Sequence, residues 1–321
     1  MKKKKILLIS SKYLVELPEL EINYNWVCDE EIKKSFIIEY WGKGYGDLTF
    51  NSLKKKVDRF KPDHIYCYNR SKIHKWMPDI SSIKVPKIMV ELDTYKYDPK
   101  DSWYEQFDKL YCRQQNWEMI HSSPLTNKKF IKFFKKSNNK MGGMGDVARQ
   151  FRRYKYRLEN AQKWDKVPLF RWSISKKDLI DAGLKRKGTK FIGSVNYRFY
   201  HMRQKLFETF DNKIDFIIEV YSQEYKDILR SSKALICPTE SSFGDYVPAK
   251  IFEFAASGAA VLTNCDLVSY DMADLDEVVI KYNGLEDLRE KIKMDFSPYY
   301  DKAREVMRNH THEIRYKEIF G

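Results

Sequence analysis

Short apolar runs alternate with amphipathic segments along most of the chain. In the first half we predict one helix at 53–60 and strands at 5–10, 35–40, 64–68, 87–92, 109–112 and 167–172. In the second half we predict helices at 200–210, 224–231, 249–257, 285–292 and 299–319, and strands at 189–192, 213–220, 233–237, 260–263 and 277–282. Short buried strands that alternate with helices are typical of parallel sheets covered on both faces.

The two halves repeat this pattern, which predicts an α/β protein with two Rossmann-like domains. The polar stretch 173–188 carries Gly183 and Gly188 and is the expected hinge. We therefore place the first domain at 1–172 and the second at 173–321, and leave open that the terminal helix returns to the first domain. The length of 321 residues agrees, since a domain takes roughly 150 residues.

Composition narrows the class of protein. Hydrophobic residues make up 43% and charged residues 32%, which suits a globular protein with a core. No apolar run reaches the roughly 18 residues that cross a bilayer, and the apolar run 6–9 is too short for a signal peptide. The five cysteines are scattered without a CxxC pair, which excludes a disulfide scaffold. We expect a monomeric cytoplasmic protein without a transmembrane segment.

The net charge of +14 is concentrated in residues 128–163, here named the basic segment. This segment has twelve basic residues against two acidic ones and contains six aromatic residues. Clustered cations gain affinity for a polyanion by releasing counterions, so we predict a nucleic-acid-binding surface. Its candidate contacts are Lys135, Lys136, Arg149, Arg152, Arg153, Lys155 and Arg157. A solvated lysine-rich helix face would give the same pattern.

Ligands of doubly wound sheets bind beyond the carboxyl ends of the strands, so residues that follow strands are candidates. Gly193 and Ser194 follow the strand at 189–192, and Arg198 and Arg203 come soon after. A turn of small residues lets backbone amides approach a phosphate, and arginine adds bidentate contacts. A tight turn with surface arginines would look the same.

The stretch after the strand at 233–237 carries the strongest signal. Asp245 and Glu253 are separated by seven residues, and Lys250 lies three residues before Glu253 on one helical face. A carboxylate here can accept both hydroxyls of a ribose, while a cation and helix amides can hold a diphosphate. An ordinary salt bridge on an amphipathic helix is the competing explanation.

These residues resemble the donor-site signature of GT-B glycosyltransferases, specifically the group 1 family that includes the spore-maturation CgeB-like proteins. That signature has an acidic residue, seven further residues and a Phe-Glu-x-x-Ala-x-Gly helix, here 252–258, with Asp245 where many relatives have Glu. The Gly-Ser turn at 192–194 and the His-Thr-x-x-x-Arg pattern at 310–315 match in the same order. The resemblance covers 189–321 well and the first half in outline.

The resemblance implies two Rossmann-like domains facing a central cleft, and transfer of a sugar from a nucleotide-diphosphate donor without a bound metal or permanent cofactor. By the family pattern, Glu253 would hold the ribose and Asp245 the sugar hydroxyls. Lys250 and Arg198 would hold the diphosphate. The full set of implied donor-binding residues is Gly193, Ser194, Arg198, Arg203, Asp245, Tyr246, Val247, Lys250 and Glu253.

The acceptor and any catalytic base are expected from the first domain, across the cleft. Glu91 and Asp93 follow the apolar residues 88–90 of the predicted strand at 87–92, and a carboxylate there could deprotonate an acceptor hydroxyl. We predict Asp93 as the base because relatives often place an acidic residue after this strand, with His121 as second candidate. Three glycines at 42–46 permit close backbone approach or form a plain loop. Stereochemistry does not follow from these residues.

Together these features predict a hexosyltransferase that acts on a hydroxyl of an anionic acceptor, with UDP-glucose as the first hypothesis for the donor. A hydroxylated base in viral DNA is the first hypothesis for the acceptor, and reaching it in a duplex would require base extrusion. A teichoic-type polymer, another cell-surface glycan or a lipid at an anionic membrane explains the charge equally well. An inactive GT-B module that binds nucleic acid is a further alternative. A Rossmann-type enzyme that uses a different nucleotide, such as an epimerase, is the last alternative. The sequence disfavours it, because residues 10–12 after the first strand are Ser-Ser-Lys and not a Gly-x-Gly-x-x-Gly turn.

Overall fold

A computed structural model of the chain shows two parallel sheets flanked by helices, which confirms the predicted α/β class. The residues that it describes are 2–16, 27, 29–92, 97–112, 163, 164, 167–179, 185–193, 201–210, 212–218, 220, 222–238, 247–265, 267 and 272–321. The domain boundaries at 172 and 173 stay a prediction.

The first sheet contains β1 (Lys4–Ile9), β2 (Phe36–Trp41), β3 (His64–Tyr68), β4 (Lys87–Glu91) and β5 (Lys109–Cys112). The described helices around it are α1 (Lys12–Glu16), α2 (Glu30–Ser35), α3 (Phe50–Phe60) and α4 (Arg70–Ile73). The strands are parallel and lie in the order β2-β1-β3-β4-β5.

The second sheet contains β6 (Lys187–Ile192), β7 (Asp215–Ile217), β8 (Ser232–Cys237), β9 (Ala260–Thr263) and β10 (Ile280–Lys281). The helices of this half are α5 (His201–Phe210), α6 (Ser222–Ser231), α7 (Ala249–Ala256), α8 (Ala273–Asp276), α9 (Gly284–Lys291), α10 (Ser297–Met307) and α11 (His312–Phe320). Its order β10-β9-β8-β6-β7 repeats the order of the first sheet, counted from β6.

The three central strands of the first sheet, β1, β3 and β4, bury both of their faces, as continuous apolar runs predict for a parallel sheet. Ile6 and Leu8 pack on one side, where Tyr66 and Ile88 join them. Leu7 and its neighbours pack on the other side against the apolar face of α3. The second sheet is likewise sandwiched, with α7 and α10 on one face and α5 and α9 on the other.

The sequence explains how α7 begins and ends. The helix follows Pro248, which cannot donate a backbone hydrogen bond, and its buried side chains face the core of the second sheet. Gly258 follows the last turn with φ of +70°, a left-handed conformation in which glycine commonly ends a helix. This places Lys250 and Glu253 in the first two turns, near the carboxyl ends of β6 and β8.

Two predicted elements are wrong. The apolar stretch 167–172 forms no strand, because only Leu169 makes a bridge, to Cys112, and the chain then leaves the sheet. The predicted helix 299–319 is interrupted, since Thr311 is extended and bridges Ile174. The backbone N–H of His312 donates to the Ile174 carbonyl at 2.8 Å, so a tertiary contact replaces the helical bonds there.

The interruption redirects the last helix onto the first sheet. Tyr316, Ile319 and Phe320 of α11 are buried in the same cluster as Ile6 and Tyr66. Lys4 also donates to the carbonyl of Phe320 at 2.6 Å. In the described part of the chain, no helix is both long and apolar enough to span a membrane.

Candidate functional site

The common strand order gives each sheet one switch point, where the connections leave in opposite directions. In the second sheet this point lies between β6 and β8. Ligands of doubly wound sheets bind in the crevice outside the carboxyl ends of the strands at such a point. Gly193, which directly follows β6, and the first turns of α7 therefore mark the candidate site.

Lys250 reaches from α7 to the end of β6. Its Nζ donates to the carbonyl of Ile192 at 2.8 Å. A Cβ added to Gly193 would lie 3.0 Å from this Nζ, and the φ of Gly193 is +144°. Glycine at 193 therefore leaves the space that the ammonium group approaches. The backbone N–H of Gly193 donates to the carbonyl of Ile217 at 3.0 Å, so this amide continues the hydrogen bonding between β6 and β7.

Arg203 of α5 brings a second cation to the same place. Its guanidinium nitrogen would lie 3.6 Å from a Cβ on Gly193, and its guanidinium carbon lies 5.9 Å from the centre of the Phe191 ring. Burial lowers the pKa of Lys250, and the nearby charge of Arg203 lowers that pKa further. Two converging cations at a switch point form a site that a bound anion would stabilise.

Glu253 lies one turn after Lys250 and is partly buried. Its carboxylate accepts a short hydrogen bond from the hydroxyl of Tyr225 on α6. Burial raises the pKa of Glu253, while the bond from Tyr225 and the charge of Lys250 lower it. Burial also raises the pKa of Tyr225, so the phenol stays a donor and orients the carboxylate.

The backbone before α7 is fixed from the other half of the chain. Trp172 donates its indole N–H to the carbonyl of Val247 at 3.0 Å, and both side chains are buried in the core cluster of the second sheet. Val247 thus contributes to the core through its side chain. The amides of the first turn of α7 lack a side-chain cap among the described residues, which leaves a positive helix end at the site.

The corresponding edge of the first sheet has a different chemistry. Glu91 ends β4 and is fully buried. Its carboxylate accepts from the backbone N–H of Arg70 at 3.1 Å and from the Tyr104 hydroxyl at 2.8 Å. Glu91 is therefore a structural carboxylate that connects two elements. The glycine turn after β2 is likewise explained by packing within the protein, because a Cβ on Gly42 would overlap the carbonyl oxygen of Ser10.

Solved structures with this architecture show which fold it is. AviGT4, a glycosyltransferase involved in avilamycin A biosynthesis, is similar with a TM-score of 0.58 and 11% identity over 99% of this chain and 97% of that chain. Sucrose-phosphate synthase from Thermosynechococcus elongatus has a TM-score of 0.52 and 9% identity, over 99% and 98% of the two chains. The chain has the GT-B fold.

A glycosyltransferase from Rickettsia africae ESF-5 is also similar to this GT-B chain, with a TM-score of 0.50 and 12% identity over 100% of this chain and 98% of that chain. No family model matches the sequence, and no curated protein matches it. At such identities the similarity concerns the fold. Membership of the CgeB-like group therefore stays a prediction.

The structure brings four of the predicted donor-site residues together around β6 and α7: Gly193, Arg203, Lys250 and Glu253. Other predicted positions lie outside the described residues. These are the donor-site positions Ser194, Arg198, Asp245 and Tyr246, the catalytic candidates Asp93 and His121, and the nucleic-acid contacts Lys135, Lys136, Arg149, Arg152, Arg153, Lys155 and Arg157. Their roles stay predictions.

The two histidines of the pattern at 310–315 are held by protein partners. His310 is buried, its Nε2 lies 2.9 Å from Asp274, and its Nδ1 accepts from Arg315 at 2.7 Å. His312 is bonded to the hydroxyl of Ser173 at 2.8 Å. Across the described ranges, no group of three His, Cys, Asp or Glu side chains is placed to hold a metal ion.

Tyr225 is a site residue that sequence reasoning missed. It lies three and four residues before Ile228 and Leu229, so its spacing predicts an ordinary core position on an amphipathic helix. Only the tertiary packing of α6 against α7 shows that its hydroxyl faces Glu253. A buried tyrosine needs a partner for its hydroxyl, which is the one signal that could have drawn attention to it.

Proposed function

We propose that the protein is a glycosyltransferase that binds a nucleotide-diphosphate sugar at the carboxyl edge of its second sheet. The observation that carries the proposal is the convergence of Lys250 and Arg203 on Gly193, with Glu253 one helical turn away. This arrangement offers cations for a diphosphate and an oriented carboxylate for a ribose. Structural similarity to proteins named as glycosyltransferases supports it.

The proposed roles follow from the geometry. Lys250 and Arg203 contact the diphosphate, and the first turn of α7 adds a positive helix end. These charges stabilise the leaving diphosphate as the bond to the sugar breaks, which requires no metal ion. Glu253, oriented by Tyr225, accepts the two ribose hydroxyls. A uridine diphosphate hexose, with glucose as the first sugar to test, is the proposed donor.

The acceptor proposal rests on the sequence of the basic segment. We retain a hydroxylated base in DNA as the first candidate, because twelve basic residues lie within residues 128–163. Lys163 is the one of these that the structure describes, and it pairs with Asp98 at 2.7 Å. It is therefore a poorer candidate for phosphate contact than the other eleven. A phosphate-bearing glycan polymer or a lipid acceptor remains the alternative.

The first experiment is a thermal-shift screen of nucleotide sugars, followed by calorimetric titration of the best ligand and of UDP. We expect stabilisation by one nucleotide sugar and loss of that stabilisation in Glu253→Ala. Replacement of Glu286, an exposed carboxylate on α9, by alanine is the matched control and should have no effect. If no nucleotide sugar stabilises the wild-type protein, the proposed function is wrong.

Product analysis separates the alternatives. A transferase releases UDP and adds the mass of a hexose to the acceptor, whereas an epimerase converts the sugar and retains the nucleotide. Mass spectrometry of duplex DNA with 5-hydroxymethylcytosine, of a teichoic-type polymer and of anionic vesicles tests the acceptors in parallel. Binding of DNA without sugar-nucleotide binding would instead support an inactive nucleic-acid-binding module.

A further inference from the structure

A buried histidine connects the last helix to the second half of the chain. His310 lies in the turn between α10 and α11, and its side chain is 1% exposed. Its Nδ1 atom lies 2.7 Å from the guanidinium of Arg315 in α11, and its Nε2 atom lies 2.9 Å from the carboxylate of Asp274 in α8. The ring of Phe252 in α7 packs edge-on against it, with ring centres 5.4 Å apart. One side chain thus contacts three helices.

These partners determine where the proton of the ring lies. A guanidinium only donates, so Nδ1 of His310 accepts the hydrogen bond from Arg315. The single proton of the neutral ring is therefore on Nε2, which donates it to Asp274. Burial raises the pKa of Asp274, but the hydrogen bonds from His310 and from the backbone of Leu275 bring it below its ordinary value, so the acceptor stays ionised. The contact with Arg315 requires a neutral imidazole.

A second proton on the ring would oppose that contact. It would place an N–H on Nδ1 that faces the N–H groups of Arg315, so that two donors and two positive charges meet in a buried place. Burial lowers the pKa of His310, the bond to Asp274 raises it, and the charges of Arg315 and Arg171 lower it, with a net lowering. An exposed imidazole takes up the proton near a pH of about 6.5. Separation of α11 therefore favours protonation.

The other charged groups near the turn have partners of their own. Arg315 also donates to Glu318 of its own helix at 2.8 Å. Arg308, directly after α10, pairs with Glu305 at 3.3 Å, and both side chains are exposed. The charged residues of α7 are held at the donor site. Among the described residues, Asp274 is the carboxylate that bonds His310, and it cannot also satisfy a proton on Nδ1.

The position of α11 depends on this contact. Its buried apolar residues pack among the strands of the first sheet. Arg315 is buried at the start of the same helix, where it faces the second half. If its bond to His310 is lost, the guanidinium keeps only Glu318 as a charged partner among the described residues, and that residue belongs to α11 itself. The imidazole therefore links α11, and through it the first sheet, to α7 and α8.

We propose that His310 is an acid-sensitive switch that attaches α11 to the second half of the chain. In the neutral form the ring accepts from Arg315 and donates to Asp274, and α11 is attached. Uptake of a proton at Nδ1 breaks the bond to Arg315, and α11 then separates from α7 and α8 while the second sheet stays folded. The switch goes beyond the proposed sugar transfer and does not depend on it.

The test is hydrogen exchange of the full chain at pH 7.5, 6.5 and 5.5. The exchange rate of α11 peptides, divided by the intrinsic rate of the same sequence at that pH, gives the opening constant of the helix, and α9 is the internal reference. His310→Asn keeps an acceptor near the position of Nδ1, and His310→Gln keeps a donor toward Asp274, but neither side chain titrates. His64→Gln is the matched control, because His64 is a partly buried histidine whose ring lies 5.6 Å from that of Phe320 in α11.

We expect the opening constant of wild-type α11 to rise by about three- to tenfold from pH 7.5 to 5.5, because opening is coupled to the uptake of one proton. The constant of α9 should not change. Both His310 variants should vary by less than about twofold over this range, and His64→Gln should follow the wild type. Glu313, with a pKa of about 2, stays ionised throughout and does not contribute.

Nitrogen chemical shifts of the His310 ring in the wild type give a second readout that needs no variant to fold. They should show the proton on Nε2 at pH 7.5 and titration below a pH of about 6.5. A proton on Nδ1, or titration at or above that value, would overturn the switch. So would an opening constant of α11 that does not rise in the wild type, an equal rise in both His310 variants, or an equal rise in α9. Loss of the rise in His64→Gln would assign the acid sensitivity to His64 instead.

Discussion

The two sheets share one strand order, yet the charged side chains at their carboxyl edges are arranged differently. At the second edge, Lys250 and Arg203 converge on a glycine, and burial holds the pKa of Lys250 below its usual range. At the first edge, the charge of Arg70 is compensated by Asp101, and Glu91 accepts from neutral donors. A site lined by two converging cations favours an anionic ligand, whereas the first edge pairs its described charges with groups of the protein itself.

The difference shows that one strand order can carry two sites of different charge. The switch point fixes where a ligand can approach each sheet, but side chains from the following helices decide its charge. In the second half, α7 supplies a cation and a carboxylate one turn apart. In the first half, α4 is a single turn that ends at Ile73, and the ring of Tyr97 packs against His74, the next residue.

The largest expected effect compares the glycines that follow β2 and β6. In Gly42→Ala the new Cβ would overlap the backbone oxygen of Ser10, which cannot move without disturbing β1. We expect a loss of about 3 kcal/mol in the free energy of unfolding. In Gly193→Ala the near atom is the mobile end of Lys250, so we expect about 1 kcal/mol and a weaker affinity for UDP.

Urea unfolding and UDP titration of both variants measure this pair. Gly46→Ala is the control for φ alone, because Gly46 has φ of +131° with no atom within 4 Å of an added Cβ. Equal destabilisation by all three variants would show that backbone conformation dominates. In that case the rigid backbone neighbour of Gly42 and the mobile side-chain neighbour of Gly193 would make no difference to stability.

The next prediction separates the two halves of the proposed nucleotide site. Lys250→Met should weaken UDP and pyrophosphate equally, by about 2 kcal/mol, because a charge-assisted bond to phosphate is lost. Glu253→Gln should weaken UDP by about 1 kcal/mol and leave pyrophosphate unchanged, since only UDP has a ribose. Titration calorimetry with both ligands distinguishes the roles.

Lys293→Met is the matched control, because Lys293 is an exposed lysine paired with Glu290 on α9. An equal loss of UDP affinity there would reveal a general charge effect. Weaker pyrophosphate binding in Glu253→Gln would instead place the carboxylate near the phosphates and contradict its ribose role.

Removal of the Tyr225 hydroxyl should have a smaller effect through Glu253. Tyr225→Phe takes away the bond that lowers the pKa of the carboxyl, so that pKa rises further. UDP affinity should fall by about 1 kcal/mol at neutral pH and recover as the pH rises and the carboxylate ionises. Titrations at pH 6, 7 and 8 check this trend. A pH-independent loss would indicate a packing role for Tyr225.

How far the sequence predicts this molecule depends on the range of the interactions. The strands 64–68, 109–112 and 260–263 were predicted with the observed bounds, because short apolar runs between breakers are local signals. The stretch 167–172 has the same local pattern, but tertiary contacts with Cys112 and the second half direct it elsewhere. The break at Thr311 likewise depends on Ile174, which is distant in sequence.

The candidate sites divide in the same way. Lys250 and Glu253 could be found from the sequence, because their spacing on one helix after a strand is a local pattern. Tyr225 could not, since it reaches the site from another helix.

The smallest expected effect concerns α11, which joins the two halves. Glu313 accepts from Lys317 of its own helix, from Lys176 in the connecting segment at 2.7 Å and from Ser35 of α2 at 3.2 Å. The hydrogen bonds from Lys176 and Lys317 lower its pKa from 4.5 to about 2. A carboxylate with a lowered pKa stabilises the fold above pH 4.5, and that contribution is lost as the pH falls toward 2.

We therefore expect Glu313→Gln to cost about 1 kcal/mol at pH 7, a value kept low because both lysines are largely exposed. The difference from the wild type should vanish near pH 2, where both side chains are uncharged. Urea unfolding at pH 7, 4 and 2.5 measures it, with Glu286→Gln on α9 as the exposed control. A loss that is unchanged at pH 2.5 would show that shape, and not charge, holds α11 between the halves.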